Sequence, residues 1–129
     1  MKRNLIYIIG VILCGFSARL SAQTVTFADS TVVYNKAMAD SAYASADYAT
    51  AIHIYEQLLA TKGEAAPIYY NLGNLYCLSS EHISSIENYS KAIELYPYMG
   101  DAYFNRGLVL IYLKDKEKGC IDLSRAGEL

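Results

Sequence analysis

Hydrophobic residues recur at helical spacing in the stretch 66–97, where they form two successive patterns. Each pattern repeats at intervals of three and four residues, which places its members on one face of a helix. The first pattern consists of Tyr69, Leu72, Gly73 and Tyr76, and the second of Ile86, Tyr89, Ala92 and Ile93. Small residues such as Gly73 and Ala92 allow two helix backbones to approach closely. The stretch therefore predicts a helical hairpin.

The hairpin pattern recurs on both sides at a spacing of 34 residues, without insertions. The aligned columns are Ala39, Gly73 and Gly107; Ala42, Tyr76 and Leu110; Ala51, Ser85 and Gly119; Tyr55, Tyr89 and Leu123; and Leu58, Ala92 and Ala126. Columns that share one spacing indicate that a single structural unit is repeated in tandem. No stretch alternates between polar and apolar residues as a half-buried strand does.

A 34-residue period with small, aromatic and small residues in this order resembles the tetratricopeptide repeat, and the resemblance covers residues 32–129. The central repeat is the most similar, with its Tyr-Tyr-Asn-Leu-Gly-Asn-Leu-Tyr run and its closing Leu-Tyr-Pro. The resemblance implies an all-α fold of three tandem helix-turn-helix repeats, about 32–65, 66–99 and 100–129, that form a short right-handed superhelix.

The outer repeats depart from the family pattern at three positions. Ala39 stands where the family usually has Gly, Arg106 where it has Leu, and Gly119 where it has Ala. We expect these departures to weaken individual helices without shifting the register.

Local signals give approximate bounds for the helices. Gly63 is expected to end the second helix, Pro67 suits the first turn of the third, and Pro97 closes the fourth. Asp29, Ser30 or Thr31 could cap the first helix. The other predicted bounds are 32–45, 48–61, 82–96, 101–113 and 116–128.

The first 22 residues differ from the rest of the chain. Lys2 and Arg3 precede an apolar run from Leu5 to Phe16, and small residues follow as far as Ala22. This order is typical of a secretory signal. The apolar run has 12 residues, whereas a membrane-spanning helix needs ~20.

We therefore predict a signal peptide over 1–22, a linker over 23–31 and an exported protein in the periplasm or cell envelope. Cleavage would leave Gln23 as the first residue. Two alternatives stay open, an uncleaved membrane anchor and a lipid anchor at Cys14. The membrane would then be contacted through the leader alone.

The charge of the chain argues against nucleic acid as a partner. Without the leader the formal charge falls from −2 to −5, because the leader holds three bases and no acids. Residues 23–101 carry nine acids and three bases. An acidic surface repels the phosphate backbone.

Candidate catalytic chemistry is scarce. His53 and His82 lie on different predicted helices, and the chain has no HExxH, GxSxG or Gly-rich phosphate-binding motif. We expect no enzymatic activity, no cofactor and no metal site.

The resemblance implies a concave groove lined by the first helix of each repeat. The predicted groove residues are Lys36, Tyr43, Tyr70, Asn74, Phe104, Leu108, Ile111 and Tyr112. Several of them are large and apolar, and contiguous exposed apolar surface commonly marks a binding site. We therefore predict a protein-protein interaction module that binds an apolar peptide or helix of a partner, with Tyr70 and Phe104 as anchors. The alternatives are an ordinary solvated helix face and a membrane-tethered assembly subunit of an envelope complex.

The last hairpin has fewer large apolar residues on the face that would contact a following repeat. Columns that hold isoleucine or leucine in the first two repeats hold Cys120 and Gly127 in the third. This composition suits the terminal unit of a repeat array. Ile121 and Leu129 leave open the alternative that a partner docks there.

Overall fold

The computed structural model describes the backbone of residues 30–129 and the side chains of residues 36–129. The predicted signal peptide, 1–22, and nearly all of the predicted linker, 23–31, lie outside the described residues. The C-terminal end of that linker is helical, because the first described helix begins at Ser30.

The described residues form six helices and contain no strand. The helices are α1 Ser30–Ala44, α2 Tyr48–Lys62, α3 Ala66–Leu78, α4 His82–Leu95, α5 Gly100–Tyr112 and α6 Lys116–Glu128. Both ends of each helix lie within two residues of the bounds predicted from the sequence, where a bound was predicted. The prediction of an all-α fold of three helical hairpins is confirmed.

The turn inside each hairpin has the same backbone conformation. Its key residue is Ala46, Ser80 or Lys114, at positive φ values of 60°, 64° and 69°, and these residues are 34 positions apart. The next residue in each turn donates its N–H to a carbonyl five residues earlier, at 2.9, 2.8 and 2.9 Å. This pattern satisfies carbonyls at the end of α1, α3 and α5. The repeat period is therefore present in the backbone as well as in the sequence.

Small residues allow the two helices of each hairpin to cross closely. A Cβ on Gly73 would lie 2.5 Å from Cδ1 of Tyr89, and Ser85 Oγ donates to the Gly73 carbonyl at 2.8 Å. In the third hairpin a Cβ on Gly107 would lie 2.9 Å from the carbonyl oxygen of Gly119. The helices of the third hairpin approach so closely that both positions require glycine. Gly119 was expected to weaken its helix. Its absence of a side chain instead allows α5 and α6 to approach closely, which that expectation did not take into account.

Arg106, which replaces the usual leucine, joins three helices. Its Nε and Nη2 donate to the two carboxylate oxygens of Asp122 on α6 at 2.7 and 2.8 Å. Its Nη1 donates to Ser90 Oγ on α4 at 2.9 Å. Asp122 is buried, so this bidentate contact compensates a charge that would otherwise be costly. In the second repeat the equivalent residue, Leu72, is buried in the apolar core. The sequence predicted only a weakened helix at Arg106 and not this ion pair.

The hydrophobic core follows the array of hairpins in two adjoining clusters. The first cluster lies among α1, α2 and α3, and the second among α3, α4 and α5. Tyr43, Tyr48 and Tyr69 pack against both clusters, so successive repeats share one continuous core. Within the part of the chain that the structure describes, no helix has the length and apolar character needed to cross a membrane.

Candidate functional site

The first helix of each repeat carries the predicted groove residues at equivalent positions. Along α1, α3 and α5 the columns are Lys36, Tyr70 and Phe104; Asp40, Asn74 and Leu108; Tyr43, Cys77 and Ile111; and Ala44, Leu78 and Tyr112. Apart from Tyr43, the first-repeat residues in these columns are charged or small, whereas the third-repeat residues are large and mostly apolar. The predicted groove face therefore has different chemistry at its two ends.

At the α1 end of the groove, an ion pair occupies the surface. Lys36 Nζ lies 2.6 Å from Asp40 Oδ2, one helical turn away, and both side chains are exposed to a substantial degree. An exposed pair of this kind contributes about 0.3–0.5 kcal/mol. This end of the groove is polar.

A hydrogen-bond network connects the first repeat to the second. Tyr55 Oη on α2 donates to Asp40 Oδ1 on α1 at 3.4 Å. Asn71 Nδ2 on α3 donates to the same tyrosine oxygen at 3.1 Å. Burial, together with the carboxylate of Asp40, raises the pKa of Tyr55 above its ordinary value, so the phenol keeps its proton.

A related network of residues 34 positions later joins the second and third repeats. Tyr89 Oη on α4 donates to Asn74 Oδ1 on α3 at 2.7 Å. Asn105 Nδ2 on α5 donates to Asn74 Oδ1 at 3.0 Å and to Tyr70 Oη at 3.2 Å. Tyr89, Asn74 and Asn105 are all buried. A buried network whose members are hydrogen-bonded holds the two repeats in a fixed orientation.

Two predicted groove residues, Tyr70 and Asn74, belong to this buried network. Tyr70 is 6% exposed, and its ring centroid lies 6.0 Å from that of Tyr89. The expectation that Tyr70 is an exposed anchor is therefore wrong, because its ring packs on Tyr89 and its hydroxyl accepts from Asn105. In the third repeat Leu108 takes the position of Asn74, so the acceptor of this network is missing there.

The exposed apolar residues among the predicted groove residues lie on α5. Phe104 is 40% exposed and Tyr112 is 37% exposed, with the half-buried Leu108 between them. The spacing of four residues places all three on one face of the helix. We call Phe104, Leu108 and Tyr112 the α5 strip.

The two remaining predicted groove residues are half-buried and partly structural. Ile111 packs against α6, since a Cβ on Gly119 would lie 2.5 Å from its Cγ1. Tyr43 lies with its ring centroid 6.2 Å from that of Tyr48, and burial raises the pKa of its phenol. Part of each side chain therefore packs against a neighbouring helix and is not accessible to a ligand.

His82, the first residue of α4, packs against one end of the α5 strip. The centroid of its ring lies 4.8 Å from that of Tyr112, in an edge-on arrangement. Its Nδ1 is buried and has no hydrogen-bond partner among the residues that the structure describes. Burial lowers the pKa of His82, because the charged ring would lose solvation.

The amides and phenols that join the repeats were only partly predicted from the sequence. Asn71 and Asn105 were not among the predicted site residues, although they are 34 positions apart and follow the same period as Tyr55 and Tyr89. That recurrence was the available signal. Among residues 36–129, no group of three His, Cys, Asp or Glu side chains is arranged to hold a metal ion.

Comparison with known proteins gives one family and several relatives. Residues 66–98 match the family model of the tetratricopeptide repeat. Over 96 residues, 72% of the chain, it is 27% identical to the photosystem I assembly protein Ycf3 of Acaryochloris marina, of which it covers 57%. Over 77 residues, 56% of the chain, it is 32% identical to the Ycf3 of Dioscorea elephantipes, of which it covers 44%.

A solved structure and an enzyme are also similar to parts of the chain. The crystal structure of MamA superposes with a TM-score of 0.68 and 26% identity, over 70% of this chain and 53% of that one. A UDP-N-acetylglucosamine–peptide N-acetylglucosaminyltransferase of Giardia intestinalis is 38% identical over 61 residues, 47% of this chain but 4% of that protein. The chain thus spans about half the length of the Ycf3 proteins and of MamA, and a small fraction of the transferase.

Proposed function

We propose that this chain, which belongs to the tetratricopeptide repeat family, binds an apolar peptide or helix of a partner protein in the groove formed by α1, α3 and α5. The repeats, and the similarity to an assembly protein, support a role in protein-protein interaction or assembly. We propose that this role is not enzymatic, since the similarity to a transferase is confined to 4% of that protein.

The observation that carries this proposal is the exposure of the α5 strip. The equivalent positions of the first repeat are occupied by Lys36, Asp40 and Ala44, and α1 adopts the same helical conformation as α5. The helix therefore does not need aromatic residues at these positions in order to form. Exposed aromatic residues that folding does not require indicate a surface under selection for binding.

The buried network beneath the groove supports binding by holding the strip in place. Asn105, on α5, is 2% exposed and is fixed to α3 by two hydrogen bonds. The strip begins one residue earlier in the same helix, at Phe104. A surface that is already rigid loses less conformational entropy on binding, which increases the affinity it can reach.

The change from polar to apolar residues along the proposed groove predicts the orientation of the bound ligand. Its apolar side chains contact Phe104 and Tyr112 at the α5 end. Polar or charged side chains of the ligand approach Lys36 and Asp40 at the α1 end, where an apolar residue would face an ion pair.

Identification of the partner is the first step in testing this proposal. The protein is used to capture partners from an extract of its own cell envelope, and mass spectrometry identifies them. The captured partner is then titrated by calorimetry against the wild type, Phe104→Ala and Tyr112→Ala. Ile121→Ala is the matched control, because Ile121 is an exposed apolar residue on α6.

We also propose that the protein is exported to the periplasm or cell envelope after cleavage before Gln23. The basic, apolar and small segments of residues 1–22 support this proposal. Intact-mass analysis of the purified protein tests it. A species that keeps Lys2 and Arg3 and fractionates with membranes would favour the second candidate, a membrane-tethered assembly subunit with an uncleaved anchor.

A further inference from the structure

The connection between α4 and α5 exposes large hydrophobic side chains at the edge of the repeat array. Tyr98 is 67% exposed and Tyr96 is 50% exposed, and their ring centroids lie 6.1 Å apart in an edge-on arrangement. Leu95, the last residue of α4, is also exposed. The end of α6 borders this region, because the Cβ of Leu129 lies 3.5 Å from the position of a Cβ on Gly100.

We call Leu95, Tyr96, Tyr98 and Leu129 the tyrosine patch. The chain itself provides a control for the role of this patch in folding. The connection between α2 and α3 has the polar residues Thr61, Lys62, Gly63 and Glu64 at the positions of Leu95, Tyr96, Pro97 and Tyr98. Both connections join the second helix of one repeat to the first helix of the next. The first connection therefore joins its two helices without an exposed aromatic residue.

The area of the tyrosine patch limits the size of its occupant. An aromatic side chain has ~150–250 Å² of surface to bury. Given their exposed fractions, the four side chains together expose roughly 300–400 Å². A stable interface between two globular subunits needs about 800 Å² on each side. The patch is too small to hold a second copy of the chain by itself, but it is large enough for a short segment.

The charges around the patch are mostly negative. Glu94 adjoins Leu95, Asp101 follows Tyr98 by three residues along the chain, and Glu128 adjoins Leu129. Glu94 and Glu128 form ion pairs with Lys91 and Arg125 at 3.5 and 3.0 Å. Both pairs are exposed, and exposed pairs exchange partners at little cost.

Asp101 is the acidic group that is available to a ligand. It is exposed, lies on the first turn of α5 and forms no ion pair with any residue that the structure describes. Glu94 and Glu128 are partly neutralised by Lys91 and Arg125, so Asp101 is the carboxylate that repels an anionic lipid surface or a phosphate. A cation is attracted by the carboxylates and also by the faces of the two tyrosine rings.

We infer that the tyrosine patch is a second binding surface, which takes an arginine- or lysine-bearing segment of a partner. A cationic head lies over a tyrosine ring and beside Asp101, and its aliphatic stem packs on Leu95 or Leu129. This surface is separate from the α5 strip, so it does not depend on the proposed groove ligand.

The test uses an unstructured peptide of alternating glycine and arginine, titrated into the full chain and followed by NMR of the tyrosine side chains. The matched peptide contains citrulline, which keeps the shape of arginine but has no charge. We expect saturable binding of the arginine peptide and about fivefold weaker binding of the citrulline peptide. Tyr98→Ala and Asp101→Asn should each weaken binding of the arginine peptide by about two- to threefold, since each removes one of the two attractions that the citrulline peptide lacks.

Three control variants separate this surface from others. Glu64→Gln changes the acid in the polar connection, Ile83→Ala changes an exposed apolar residue at the other end of α4, and Phe104→Ala changes the α5 strip. All three should bind the arginine peptide as the wild type does. Asp101→Asn alters no buried group, so it tests the inference even if Tyr98→Ala disturbs folding.

Several results would overturn the inference. One is equal binding of the arginine and citrulline peptides. Another is a loss of binding in Glu64→Gln as large as that in Asp101→Asn, which would show attraction to net charge alone. Self-association of the chain that Tyr98→Ala abolishes, or sedimentation with anionic vesicles that Tyr98→Ala abolishes, would assign the patch to a second copy or to a membrane.

Discussion

Asn105 donates a hydrogen bond to Asn74 across 3.0 Å, and this bond joins two residues that are 31 positions apart on the first helices of successive repeats. The same amide nitrogen also reaches the hydroxyl of Tyr70. The third repeat is therefore oriented by a polar contact inside the protein, next to the apolar surface that we propose binds a partner.

Replacement of Asn105 should destabilise the protein. Asn105→Ala leaves the oxygens of Asn74 and Tyr70 without this donor in a buried site, and we expect a loss of about 1–3 kcal/mol in the free energy of unfolding. The matched control is Asn71→Ala, since Asn71 occupies the same position in the second repeat but is only half-buried. Urea denaturation of the two variants should show the larger loss for Asn105→Ala. Equal losses would show that burial of the network does not matter.

The close approach of α3 and α4 gives a second stability prediction. Gly73→Ala places a Cβ 2.5 Å from the ring of Tyr89, and we expect this overpacking to cost about 1–3 kcal/mol. Gly127→Ala is the control, because a Cβ there meets no atom within 4 Å. A Gly73→Ala protein that melts at the wild-type temperature would contradict the packing described for this hairpin.

The turn residues with positive φ offer a stabilising change. Lys114 has φ of 69°, a conformation that costs a non-glycine residue about 1–2 kcal/mol. Glycine loses part of that gain through the entropy of the unfolded chain, so Lys114→Gly should raise the free energy of unfolding by roughly 0.5–1 kcal/mol. Lys116→Gly, two residues later in helix α6, should lower it. Thermal denaturation of both variants measures the difference.

Stability should fall as the solution becomes mildly acidic. The pKa of His82 is lower in the folded protein than its ordinary value, because its ring is partly buried. The unfolded chain therefore binds a proton more readily, and stability is lost as the pH falls through the ordinary histidine value of about 6.5. His82→Phe should remove this part of the pH dependence.

His53→Gln is the control for that measurement, since His53 is exposed on α2. The pKa values of Asp47 and Asp115 are lowered by their bonds to Thr50 and Lys118 at the start of α2 and α6. Their contribution is lost only at more acidic pH, as they protonate. Urea denaturation between neutral and mildly acidic pH therefore isolates the histidine. If the free energy of unfolding depends on pH in His82→Phe as it does in the wild type, protonation of His82 does not contribute to that dependence.

The helices and their order could be predicted from the sequence because the 34-residue period fixes the register of every hairpin. The period also recurs in the turn residues Ala46, Ser80 and Lys114. The burial of Tyr70 could not be predicted in this way, because its column holds Lys36 and Phe104, which are both much more accessible to solvent. Tyr70 is buried because of its contacts with Tyr89 and Asn105, which lie on other helices.

The contacts of Arg106 could not be predicted from the sequence for a related reason. Its partner Asp122 is 16 positions away on another helix, and the equivalent residues of the second repeat are Leu72 and Asn88. An ion pair that occurs in one repeat leaves no periodic signal. Positions common to the three repeats were predictable, whereas contacts peculiar to one repeat required the structure.

The proposed binding surface is tested most directly by calorimetric titration of the captured partner against the α5 strip variants. Phe104→Ala and Tyr112→Ala should each weaken binding by about 2 kcal/mol, as expected for aromatic anchors. Their circular dichroism and melting should remain close to the wild type, because both side chains are exposed. Ile121→Ala should bind normally. Normal binding by both strip variants, with loss of binding in Ile121→Ala, would contradict the groove and place the binding surface on the open face of α6.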